Sequence, residues 1–279
     1  SITLSKDIRD KLVTFSTKAG TSMFMTMMAI FQTLLHKVTN QDDIIVGTPI
    51  AGRHYKEIEH LIGFFVNTLP IRTKFTEKKA GDETKIQTFE DILEQVKNTT
   101  LDAYKHQNIP FDQLVDHLEI TRALNKNPVF QVWFTLDIIE DQSSKKSSTH
   151  IDLSTALRGA VSIPLDTDAI SRFDLTVSTY CKQDNITINI HFAQDLFSQS
   201  TIQNLASHFK ELIRNIVNSI DDGTISTKAI SEFSILSEEE KNQILINWND
   251  TEVVYPELQH NKTIIQLFEA QVEKTPDNI

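Results

Sequence analysis

The chain has one cysteine, Cys181, among its 279 residues. That excludes an internal disulfide and points to a reducing compartment, so a cytoplasmic location is expected. No motif surrounds Cys181, so it is not read as a nucleophile. There is no CxxC, no HExxH and no His/Asp cluster at metal spacing, so no metal site is expected. GxGxxG is absent, as is GxxxxGK followed by Ser or Thr, so no nucleotide site is expected within the chain. None of the nine histidines is adjacent to another. The longest apolar stretch, Met23 to Val38, is interrupted by Thr26, Gln32, Thr33 and His36 and is too short and too polar for a bilayer span. No signal peptide opens the sequence. Basic residues are outnumbered, 27 Lys and Arg against 38 Asp and Glu, for a formal charge of -11. This argues against nucleic acid as a partner.

Apolar residues make up 39% and charged residues 23%, a globular composition. The length allows one domain with appendages or two small ones. Glycine is scarce, and three of the seven, Gly47, Gly52 and Gly63, fall in one window. Glycine is retained where the backbone bends sharply or something approaches closely. The window leads into Ile62-Gly63-Phe64-Phe65-Val66-Asn67-Thr68-Leu69-Pro70-Ile71-Arg72, which reads as a buried strand. Asn67 and Thr68 interrupt it, and a buried amide or hydroxyl costs about 1–3 kcal/mol without a partner. The stretch is therefore either a structural crossover or the wall of a substrate channel. Pro70 places its end at a sheet edge or bulge.

Ser5 caps a first helix that Gly20 ends. A second helix from Thr21 or Ser22 carries Met23, Met27, Phe31, Leu34 and Val38 on a wide apolar stripe, so it is mostly buried. Its methionines are either core filler or a flexible binding surface, with core filler favoured. Asp43 to Val46 starts a strand, Lys74 to Lys85 is a surface loop, and Phe89 to His106 is an amphipathic helix. Pro110 opens a short helix. Val129 to Ile139 reads as a central strand, and Asp141 to His150 as a polar loop. Phe173, Leu175 and Val177 alternate with polar residues, as do Ile186, Ile188, Ile190 and Phe192, which predicts a hairpin with one dry face. Leu205 to Ile220 forms a long helix. Ser237 with Glu240, and Thr263 with Gln266, are capping boxes that start two more helices. Asn249 to Lys262 between them lacks periodicity and is a linker. There is no internal repeat.

The pair GTPIAGR (47–53) and IGFFVNTLPIR (62–72) closely resembles the condensation domains of non-ribosomal peptide synthetases. The order continues with His106-Gln107-Asn108-Ile109-Pro110-Phe111-Asp112, Asn127-Pro128-Val129-Phe130-Gln131-Val132 and Arg172-Phe173-Asp174-Leu175. The resemblance covers nearly the whole chain but only the C-terminal half of the family's domain. It implies a chloramphenicol-acetyltransferase-like α/β sandwich, here the C-terminal lobe alone, with a mixed sheet and helices packed on it. Residues 1–248 are the expected lobe, 249–262 the linker and 263–279 the first helix of an adenylation domain, because WNDTEVVYP and TIIQLFEAQVEKTPD resemble that passage.

The family joins two thioester-tethered acyl groups, using a His-His-x-x-x-Asp-Gly motif in its N-terminal half. That motif is absent here. The nearest imitation, His191-Phe192-Ala193-Gln194-Asp195, lacks the paired histidine and the glycine, so no catalytic residue is expected and the chain alone is expected to be inactive. The resemblance implies that this half supplies tunnel wall and carrier docking. Its partners are then the N-terminal lobe, upstream and downstream carrier proteins and an adjacent adenylation domain. The only cofactor implied is the phosphopantetheine arm of the carriers, with none bound by this chain.

The residues placed at the tunnel each carry a plainer reading. Arg53 pairs with an acid of the missing half or makes a surface salt bridge. Asn67 holds a tethered amide or is a satisfied buried amide. Arg172 and Asp174 position the hairpin near the cleft or form a local ion pair. His106, Pro110 and Asp112 shape a helix junction, while Asn108, Ala123 and Lys126 depart from the family pattern. Two other functions stay open, a non-catalytic docking or scaffold module and an epimerisation domain of the same fold. The NTLPIR ending and the adenylation-like tail weigh against the second. Removal of the partner lobe is expected to expose apolar surface around Phe64 and Phe65 and to invite self-association.

Overall fold

Period-two alternation in six segments builds one mixed sheet, and helical periodicity covers one of its faces. A computed structural model describes residues 1–53, 55–58, 60–76, 86–119, 126–139, 172–252 and 263–276. The strands are β1 (Ile2–Ser5), β2 (Asp43–Ile50), β3 (Asn67–Lys74), β4 (Val132–Ile138), β5 (Leu175–Cys181) and β6 (Asn185–Phe192), and the sheet order is β1-β6-β5-β4-β2-β3. β4 runs parallel to β2 and β5, and the other pairs are antiparallel. The helices of this part are α1 (Lys6–Lys18), α2 (Met23–Thr39), α3 (Phe89–Lys105), the short α4 (Phe111–His117) and α5 (Gln199–Asp221). They belong to one compact unit, Ser1–Ile235. A second unit, Leu236–Ile279, holds α6 (Glu238–Leu245) and α7 (Ile264–Lys274). Of the expected loop 74–85, Lys74 instead ends β3 and 77–85 lie outside the described residues, as do the expected loop 141–150 and 253–262 of the expected linker.

The hairpin β5–β6 and the central position of β4 match the alternation and the apolar run that predicted them. β3 lies at the sheet edge, the place in a sheet where a residue without an N–H is tolerated. β1 was not anticipated. Its four residues extend the sheet beyond β6, with Ile2 and Leu4 buried and Thr3 and Ser5 exposed. Ser5 stands at the N-cap of α1, but its side chain makes no capping bond.

One sheet face carries Val46, Leu69, Ile71, Phe134, Val177 and Ile188, all buried. α2 lies against it and is itself almost wholly buried. Phe31 stacks on Phe134 with centroids 5.5 Å apart and also meets Phe209 of α5 at 5.6 Å. Met25, Met27 and Met28 are buried in the same core, which settles their role as filler. The polar residues that interrupt α2 are satisfied rather than exposed. Gln32 donates to the Ile71 carbonyl at 2.9 Å and accepts from Thr73 at 2.8 Å, and Thr26 shares a 2.7 Å bond with Ser16. A buried amide bonded on both ends ties α2 to β3 without the cost of an orphaned group.

Arg72 lies near the end of β3. It forms a two-pronged pair with Asp43 across the β2–β3 edge, Nε to Oδ1 at 2.8 Å and Nη2 to Oδ2 at 2.5 Å. The hydrogen bond to Arg72 holds the Asp43 carboxyl below its ordinary pKa. A carboxylate depressed in the folded state stabilises the protein above its unfolded pKa of about 3.9 and loses that contribution as pH falls through the folded value. Both side chains are about half exposed, so the effect is small. Asp43→Asn should therefore leave stability at pH 2 unchanged relative to the native chain and lower it slightly at pH 7, read by denaturant titration at the two pH values.

Candidate functional site

The expected strand from Ile62 to Arg72 is corrected by the structure: only its second half, Asn67 onward, is a strand. Ile62 and Phe64 are 104% and 90% exposed. The reason is Arg53. Its guanidinium donates to the carbonyls of Ile58 at 2.6 Å, Leu61 at 2.7 Å and Gly63 at 3.3 Å, and lies 4.4 Å over the Phe65 ring. Carbonyls turned toward one cation cannot form a strand ladder. The chain folds around Arg53 as a loop instead. Gly52, at φ +65°, closes its base, where a Cβ would lie 2.0 Å from the Phe65 carbonyl oxygen. Arg53 thus organises its own loop through carbonyl groups.

Asn67 fixes the other end of this loop. Its amide nitrogen donates to the carbonyls of Gln107 at 2.8 Å and Ile109 at 2.7 Å. Its oxygen accepts from the backbone N–H of Thr68 at 2.8 Å and of Phe111 at 3.3 Å. An amide offers two donors and two acceptor sites, and all four are engaged. Asn67 therefore joins β3 to the α3–α4 junction, where His106 caps α3 and Pro110 precedes α4. The loop is held at both ends while its tip presents apolar side chains. At moderate concentration the isolated chain should self-associate through this tip, and the pair Ile62→Ser and Phe64→Ser should return it toward monomer in sedimentation velocity. At concentrations where the native chain is monomeric, melting should not change, because both side chains then face water.

The second sheet face differs from the first. Register places Pro70, Gly47, Trp133, Thr176 and His191 side by side on five adjacent strands. The next row holds Thr135, Ser178 and Asn189. At the Gly47 corner an aromatic cluster closes over the sheet. Phe130 lies 5.5 Å from Phe111, 5.6 Å from Phe173 and 5.9 Å from Trp133, and Trp133 stacks on Phe173 at 4.7 Å and 5°. A Cβ on Gly47 would stand 2.2 Å from the Phe130 ring, so only glycine admits the ring there. Thr176, Ser178 and Trp133 are partly covered, and His191 is exposed.

Arg172 and Asp174 flank Phe173 at the start of β5. The Arg172 carbonyl accepts from Asn127 at 2.9 Å, and the Asp174 backbone bonds to Gln131 and Ala193. No ion pair between Arg172 and Asp174 occurs among the described residues. Cys181 is buried at the end of β5. Among the described residues no group of three His, Cys, Asp or Glu side chains could hold a metal ion, and no helix is long and apolar enough to cross a membrane. The four residues the motifs singled out therefore bracket two features, the Arg53 loop and the aromatic corner. The corner itself was missed. Its one sequence signal was Gly47, a small residue in a strand with a large aromatic partner far along the chain.

Comparison with known proteins gives a family model, Condensation domain, matching residues 1–245. Gramicidin S synthase 2 of Brevibacillus brevis is 38% identical over 274 residues, which is 98% of this chain and 6% of that protein. Surfactin synthase subunit 1 of Bacillus subtilis (strain 168) is 36% identical over 279 residues, 100% of this chain and 7% of that protein. The chain thus spans only a small part of the curated relatives it matches. Among solved structures, a four-domain non-ribosomal peptide synthetase, holo-AB3403 bound to AMP and glycine, aligns with a TM-score of 0.75 at 19% identity, covering 99% of this chain and 20% of that one. The first condensation domain of the CDA synthetase aligns with a TM-score of 0.58 at 14% identity, covering 85% of this chain and 48% of that one.

Proposed function

This chain belongs to the condensation-domain family of non-ribosomal peptide synthetases, and on that premise we propose that it forms one lobe of a site that makes a peptide bond between two carrier-held aminoacyl or peptidyl groups. In this reading the amine nitrogen of the acceptor attacks the donor thioester carbonyl. A C–N bond forms, the C–S bond breaks, and the thiolate leaves on the donor's phosphopantetheine arm. The amine proton passes to a base on the other lobe. This chain binds no cofactor of its own.

The observation that carries the reading is the second sheet face. It is polar and aromatic where the first is apolar. Such a face suits one wall of a cleft whose chemistry is completed from elsewhere. The chloramphenicol-acetyltransferase-like α/β fold, and its coverage of about half of an isolated condensation domain, support a second lobe of similar size. In this proposal Arg53 and Asn67 act as positioning residues that hold the loop beside the wall, and Arg172 and Asp174 set the place of Phe173. Residues 249–262 are a linker and 263–279 the opening helix of an adenylation domain. That assignment is supported by the four-domain structure, which covers the tail, and by Ile264, Phe268 and Val272, which line one exposed side of α7. Carrier proteins dock from both sides, in the cytoplasm.

The test uses the complete condensation domain with donor and acceptor carriers loaded with different amino acids. Intact mass spectrometry of the acceptor carrier should show the donor's acyl mass added. Carrier binding that ignores the tethered group, with no transfer of mass, would instead leave a docking module.

A further inference from the structure

The row that crosses the second sheet face is apolar at one end and polar at the other. Phe130 sits on Gly47, and Phe173 covers one face of the Trp133 indole in a nearly parallel stack. The indole is therefore fixed, which lowers the cost of using it as a contact surface. It remains partly exposed. Thr176 is its direct cross-strand neighbour and His191 is one strand further. Strands are about 4.8 Å apart, so a hydroxyl and then an imidazole follow the indole within about 10 Å. A fixed aromatic surface with a few polar groups to one side is the usual make-up of a small-molecule site. An aminoacyl thioester has the matching layout, an apolar side chain beside an amine and a carbonyl.

We propose that Trp133 is a specificity-determining residue, which limits the side chain that a tethered aminoacyl group brings against this wall. The inference rests on the reading of this face as the cleft wall. The indole favours flat or compact apolar side chains, which lie against it, and excludes branched bulky ones. Thr176 and His191 meet the polar backbone of the same group. Trp133 touches no bond that forms or breaks in this scheme. Its replacement therefore alters selection between substrates rather than the chemical step.

The complete condensation domain is assayed with glycyl, phenylalanyl and leucyl thioesters, varied first at the donor and then at the acceptor. The position that responds identifies which group meets the indole. Trp133→Ala should change the ratio of kcat/KM between leucyl and glycyl substrates about tenfold or more in favour of leucyl, while the glycyl value stays within about threefold. Trp133→Phe, which can still stack on Phe173, should keep the native ratio within about threefold. Near-UV circular dichroism and melting confirm that each variant is folded, and Trp133→Met serves if alanine is not tolerated. An equal fall for all substrates, or an unchanged ratio at both positions, overturns the inference while leaving the proposed reaction standing. No transfer by the native domain with any substrate overturns both.

Discussion

Replacing Phe134 with alanine should lower the unfolding free energy by about 3–5 kcal/mol. Phe134 lies on β4 between β2 and β5, is fully buried, and contacts Phe31 at 5.5 Å and Phe24 at 5.9 Å. Truncation removes the transfer free energy of the ring and leaves a void that three elements would have to move to fill. The matched control is Phe64→Ala. The chemistry is the same, but Phe64 is 90% exposed on the loop tip, so the change should stay within about 0.5 kcal/mol. Urea titration of both variants measures the difference. With the chain kept monomeric by dilution, equal losses would mean that the loop is buried within the folded chain and that the account of Arg53 is wrong.

Gly47→Ala should cost about 1–3 kcal/mol, although it adds one methyl group. The new Cβ would meet the Phe130 ring at 2.2 Å, and that ring is held by Phe111, Trp133 and Phe173. The ring must leave its place, so the damage reaches the stack of Trp133 on Phe173 and should appear in the near-UV tryptophan bands. A second change, Phe130→Leu, removes the obstruction. The double variant should be more stable than the sum of the two single losses predicts, a coupling expected for residues in direct contact. Additive losses would show that Gly47 is needed for its backbone alone.

Much of the fold was legible because it depends on local periodicity. The alternation in Leu175–Cys181 and Asn185–Phe192, and the wide stripe of Met23–Thr39, each report which side of an element is dry. The segment 62–66 misled because hydrophobicity states that a residue avoids water, not which surface will cover it. Ile62 and Phe64, read as part of a buried strand, stand in solvent, as the expected apolar exposure around Phe64 allowed, with Arg53 holding the backbone out of strand geometry. β1 was missed because four residues beside a strong helix start carry too little pattern. The sequence leaves Asn67 between two roles, and its four bonded partners fasten β3 to the α3–α4 junction. The aromatic corner was invisible for a different reason. Phe111, Phe130, Trp133 and Phe173 are spread over 63 positions, and they meet through strand register, which composition and spacing do not encode.

The central claim is that this lobe supplies a wall and lacks the proton-handling group. The most direct measurement mixes the purified chain with separately loaded donor and acceptor carriers and follows dipeptidyl thioester by mass spectrometry, beside the complete domain under the same conditions. The account predicts product with the complete domain and none with the chain alone. Sustained dipeptide formation by the chain alone would contradict it.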